Sequence, residues 1–182
     1  MIQAQRSRVN QKLYHARLLL DQADQNADPL VAPAWQQACV DSACWALEQV
    51  RVAMLRELAA LYRLDVARAD DLDELVRLAA QRDQHLPEVA LWREAQQPEG
   101  VWGRLSRQLA QLQAVPVGEG KALGDWMPEA ASSSSFSSLG ESTGAENLLP
   151  LTQIDDPVTG MRQLLQDIKS FIDQLRAFQW ED

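Results

Sequence analysis

The side chains with the widest chemical range are few. The chain holds two histidines, His15 and His85, and two cysteines, Cys39 and Cys44. Arg8 and His15 enclose six residues, and on a helix that i, i+7 spacing stacks both side chains on one face. Asn10, Gln11, Lys12 and Tyr14 lie between them and complete a polar cluster. Such groups either satisfy buried polar partners on neighbouring helices or line a partner's site, and the structural role is the preferred reading. Asp70, Asp71, Asp73 and Glu74 form an acidic run. A calcium loop would need a sharp Gly turn within it, so capping of a helix N-terminus is the expected role. Glu48, Glu57 and Glu94 fall on helical segments, but a di-iron bundle calls for Glu-x-x-His pairs, which the sequence lacks. No Gly-rich phosphate loop and no paired-histidine metal motif is present. The cysteines lie five apart on one helix, rotated by roughly 140°, and cannot pair within it. They read as packing residues in a reduced compartment.

An Arg and a His at this spacing resemble the motif of the helical ribonucleases of the higher-eukaryote and prokaryote nucleotide-binding class. The resemblance implies that His15 activates a ribose hydroxyl while Arg8 stabilises phosphate charge. The chain departs from that motif in two ways. A polar residue normally follows the Arg, and here it is Val9; the motif normally sits late in its bundle, and here it opens the chain. The preferred reading is a surface or interhelix histidine, with no catalytic residue and no metal or cofactor assigned.

The elements that must position these residues are helical. Val9, Leu13, Ala16, Leu20 and Ala23 recur at steps of three and four, predicting a helix over 3–25. Asp28-Pro29 and Pro33 mark the following turn. Residues 34–64 hold no Gly or Pro and carry an apolar stripe that includes Trp35, Cys39, Leu47, Met54 and Leu58. Shorter helices begin at Asp71, with Glu74 three residues on as in a capping box, and near Pro87. A helix over 99–113 carries Val101, Trp102, Leu105 and Leu109. The last helix, 157–180, opens with Asp155 or Asp156 as cap and Pro157 at its first position. Met161, Leu164, Ile168, Phe171, Leu175 and Phe178 give it the strongest amphipathic pattern in the chain. Most of the six tryptophans are expected in the core. No alternating strand pattern and no fixed repeat occurs.

Composition narrows the function classes. Hydrophobic residues make up 46% of the 182 residues, enough for a core, and the net charge is −9. Residues 1–113 carry 13 Lys and Arg against 15 Asp and Glu, whereas 114–182 carry 4 against 11. An acidic chain without a basic block argues against nucleic acid and anionic membranes as partners. The opening residues lack the apolar core of a secretory signal, and no apolar run approaches the roughly 20 residues of a membrane span. Cytoplasm is the expected compartment.

The segment Ser7-Arg8-Val9-Asn10-Gln11-Lys12-Leu13-Tyr14 resembles the opening of a family of uncharacterised proteins from Pseudomonas and related gammaproteobacteria, which show an Arg-x-Asn-Gln-Lys-Leu-Tyr pattern. The resemblance continues through Leu61-Tyr62-Arg63-Leu64 and the Gln179-Trp180-Glu181 close, and leaves out the Ser-rich connector. It implies a bacterial, cytoplasmic helical protein without an assigned activity.

The sequence therefore predicts an all-α four-helix bundle with short bridging helices. Residues 1–113 supply its first part, 114–155 a Ser/Gly/Pro-rich flexible connector, and 156–182 the helix that completes it. The expected function is that of a non-catalytic accessory or regulatory protein, acting on an unidentified protein partner as monomer or homodimer. The alternative is a nucleotide- or RNA-acting bundle using Arg8 and His15.

Overall fold

The first helix of the computed structural model, α1 (Ile2–Ala23), buries Val9, Ala16, Leu20 and Ala23 of the stripe that the spacing predicts and leaves Leu13 half-buried. The structure describes residues 2–26, 28–114 and 156–178. Five more helices follow among them: α2 (Ala32–Leu61), α3 (Leu72–Ala80), α4 (Glu88–Ala95), α5 (Val101–Gln113) and α6 (Pro157–Phe178). No strand occurs among the described residues. The expected connector falls outside them, apart from Ala114.

Several boundaries differ from those expected, each for a local reason. Asp28 accepts from Leu30 N–H at 2.9 Å and its carbonyl accepts from Ala32 N–H at 2.8 Å, so the chain turns before α2. Pro33 lies inside the first turn of α2 rather than in the preceding loop. Proline is tolerated there because first-turn N–H groups have no intrahelical acceptor. At its other end α2 stops at Leu61, not Leu64. Arg63 adopts φ 56° and Leu64 N–H closes on Ala59 O at 2.8 Å. This is a Schellman ending built on an arginine where glycine is usual. Asp83, φ 50°, ends α3 the same way, with Gln84 N–H on Ala79 O at 3.1 Å.

The start of α5 is displaced from 99 to Val101. A Cβ on Gly103 would lie 1.9 Å from Gln97 O, and one on Gly100 would lie 2.3 Å from Ala95 O. The α4–α5 corner is therefore a backbone-on-backbone contact that only glycine allows. The expected N-caps form, but the capping box at α3 does not close. Asp71 accepts from Glu74 N–H at 2.8 Å, although the Glu74 carboxylate turns to Arg77 and Arg68 instead of back to the cap. Asp156 accepts from the N–H groups of Val158 and Thr159 at the start of α6.

The core lies along α2 and α6. Both are packed by α1 on one flank and by α5 on the other, while α1 and α5 share no interface. From α6 it takes Val158, Met161, Leu164, Ile168, Ile172 and Leu175. Of the expected stripe, Phe171 is half-buried and Phe178 is exposed. Cys39 and Cys44 are free and buried, and Cys44 Sγ meets Met161 Sδ at 3.9 Å across the α2–α6 contact. Trp92 and Trp102 are wholly buried and stacked at 5.6 Å, with Phe171 edge-on to both. Trp35 and Trp45 depart from the core expectation. They remain 41% and 48% exposed, since Trp45 lies on the side of α2 away from the other helices and Trp35 straps the turn through Nε1 donating to Gln22 O at 3.0 Å. Trp126 and Trp180 lie outside the described residues.

Candidate functional site

The polar cluster on α1 divides between two sides of the helix. Arg8, Gln11 and His15 are exposed, and Lys12 is half-buried. Arg8 and His15 lie seven positions apart on α1, and neither has a hydrogen bond or ion pair with another described residue. Asn10 and Tyr14 point the other way, into a groove of about 600 Å³ between α1 and α6. Leu13, Leu20 and Leu165 make its floor. Tyr14, 58% exposed, stands on its lip. Arg17, Arg162 and Lys169 bring positive charge to its rim and Asp21 brings one carboxylate. Arg162 is committed to the structure through Asp24 at 2.6 Å and Leu20 O at 2.9 Å. Lys169 is exposed and has no ion-pair partner among the described residues.

Behind the groove lies a charged centre that the spacing of residues did not reveal. Glu57, 1% exposed, sits in the most deeply buried part of α2 between Met54, Leu55 and Leu58. Arg176 of α6 grips its carboxylate with two N–H groups, at 3.1 and 2.8 Å, and Arg6 of α1 donates to the same group at 2.9 Å. A carboxylate removed from water needs such partners, because desolvation otherwise outweighs any gain from packing. Arg176 Nη1 also donates to Asn10 Oδ1 at 3.3 Å, carrying the network from the core to the groove wall. The one available clue was an acidic residue inside an apolar stripe. It did not disclose the partners, 51 and 119 positions away.

Other carboxylates have structural partners, whereas Asp73 and Glu94 are exposed and have none among the described residues. Glu48 pairs with Arg51 at 2.6 Å, and Asp70 pairs with Arg56 at 2.6 Å. Glu88, buried at the start of α4, accepts from Tyr62 OH at 3.1 and 2.9 Å. Asp167 of α6 accepts from Arg104 of α5 at 2.5 Å and from Gln163 at 2.8 Å. Burial pushes the Asp167 carboxyl up, but these hydrogen bonds and the Arg104 charge outweigh it and hold the group below its ordinary range. Among the described residues no three His, Cys, Asp or Glu side chains gather as a metal site, and no helix is long and apolar enough to cross a membrane.

Residues 1–181 match the model of a Family of unknown function (DUF6586), and the chain belongs to that family. No curated protein and no solved structure matches it.

Proposed function

We propose that this family member is a non-catalytic accessory or regulatory protein that holds a helical segment of a partner protein in the α1–α6 groove. The observation that carries this reading is the composition of the groove. It combines an apolar floor of Leu13 and Leu165, an exposed Tyr14, and the cations Arg17 and Lys169 on a chain of net charge −9. An amphipathic helix lays its apolar face into such a groove, and exposed tyrosine contributes contact area at low entropic cost. Acidic residues beside the partner's apolar stripe complement Arg17 and Lys169. Arg17 already approaches Asp21 at 3.5 Å, so Lys169 supplies the more available charge.

In this reading α1, α2, α5 and α6 act as a four-helix bundle, and the Arg6–Glu57–Arg176 centre fixes the distance between the two groove walls. The Arg-x-Asn-Gln-Lys-Leu-Tyr opening is then the family's recognition element, since it supplies Asn10 and Tyr14. Free, buried Cys39 and Cys44 suit a reduced, cytoplasmic setting.

The test replaces Tyr14 or His15 with a photo-crosslinking phenylalanine in the native cell. Position 14 should yield protein adducts and position 15 should not. RNA adducts from position 15, together with RNA cleavage that disappears in His15→Ala, would overturn the proposal in favour of the Arg8–His15 chemistry.

A further inference from the structure

A second surface, independent of the groove, lies on the outward side of α2. Val31, Ala34, Trp35, Ala38, Ser42 and Trp45 recur at steps of one, three and four, are all exposed, and carry no charge. With Gln49 the stripe runs about 27 Å at 1.5 Å per residue. Leu30, 89% exposed, stands at its end. The second half of the same helix is covered instead. Ala53 and Ala60 are buried, and Arg56 is held by Asp70. This chain buries the indoles of Trp92 and Trp102 completely, yet leaves Trp35 and Trp45 nearly half in water. Leu30, Val31 and these two tryptophans together expose on the order of 400 Å², comparable to the patches that monomers keep for contacts.

We infer that this face joins two copies of the chain, with their α2 helices antiparallel across a two-fold axis. Apart from Ala34, the stripe is symmetric about Val40, which is buried and points to the core. Trp35 and Trp45 stand five positions either side of it, Ala38 and Ser42 two, and Val31 and Gln49 nine. A two-fold contact needs one patch to complement itself. Here it sets Trp35 of each copy against Trp45 of the other, while Ala38 and Ser42 at the centre let the helix backbones approach. Charge favours the same occupant. Two chains of net charge −9 repel, and a face without charge adds no local like-charge contact to that repulsion. A partner selected by opposite charge would find nothing on this face to hold. The apolar side chains supply about half of the roughly 800 Å² per partner in a standard interface, which points to a reversible dimer.

The test is sedimentation equilibrium of the full chain from about 1 to about 500 μM. A monomer–dimer equilibrium is expected. Trp45→Glu and Ala38→Glu, both at exposed positions, should each weaken it at least roughly 100-fold while far-UV circular dichroism stays unchanged, because each places a carboxylate in a dry contact. Tyr14→Ala, in the groove, should leave it unaltered. A chain that stays monomeric at the highest concentration overturns the inference, as does a dimer that survives either glutamate substitution in folded protein.

Discussion

Replacing Glu57 with glutamine keeps the size of the side chain and removes its charge. The two N–H groups of Arg176 and the one from Arg6 then face a neutral amide that can accept at one atom only. Breaking a buried ion pair by neutralising one partner costs about 3–5 kcal/mol. The Arg6 and Arg176 side chains keep 24% and 18% of their surface in water, so part of their solvation is recovered. The lower end, about 3 kcal/mol, is therefore expected, equivalent to a fall in Tm of roughly 6–12 °C for a chain of this size. Urea unfolding followed by far-UV circular dichroism measures it, with the m-value as a check that the transition stays two-state. A triple variant with leucine at positions 6, 57 and 176 removes the three charges of the centre together and should recover most of the loss. If Glu57→Gln unfolds within 1 kcal/mol of wild type, or the triple variant is no better than the single one, the centre does not hold α6 to the α1–α2 pair.

Three further outcomes follow from local geometry. Asp167 is held below its ordinary range in the folded chain, so its stabilisation is present above the unfolded value of about 3.9 and is lost as pH falls through the folded value; Asp167→Asn should melt below wild type at pH 7, and the two melting curves should converge as the pH falls through that folded value. Burial, with a smaller contribution from Asp41, pushes the Cys44 thiol up to about 11, so a disulfide reagent at pH 8 should modify it only in urea; fast native modification would contradict the burial. Gly103→Ala should destabilise by about 1–3 kcal/mol, since its Cβ would meet the Gln97 carbonyl, whereas Gly160→Ala meets open space within α6 and should stabilise by about 0.5–1 kcal/mol; thermal melts of the two variants should shift in opposite directions.

Local patterns were the legible part of this chain. The stripe of α6 is written in steps of three and four, and Asp71 and Asp156 sit where caps belong, so those elements could be read without knowing their neighbours. Helix ends that depend on a backbone flip were not visible: Arg63 and Asp83 take the left-handed conformation without the glycine that usually signals it. Trp45 shows a second limit. Residue type suggested burial, whereas its angular position on α2 decided exposure. The candidate site was half legible. Asn10 and Tyr14 stood out by type, but the groove exists only because α6 packs beside α1, and the intervening sequence carries no signal for that pairing. Glu57 was visible as a carboxylate and invisible as a centre, because both arginines come from other helices.

The central claim is that the α1–α6 groove receives an amphipathic, acid-flanked helix. Selection of displayed peptides against the full chain, with counter-selection on a folded Leu165→Glu variant, tests it directly. Enriched peptides should repeat apolar residues at helical spacing between Asp or Glu, and they should lose affinity for Tyr14→Ala and Lys169→Glu. Peptides that bind all three variants as tightly as wild type, or a selection that enriches nothing, would contradict it.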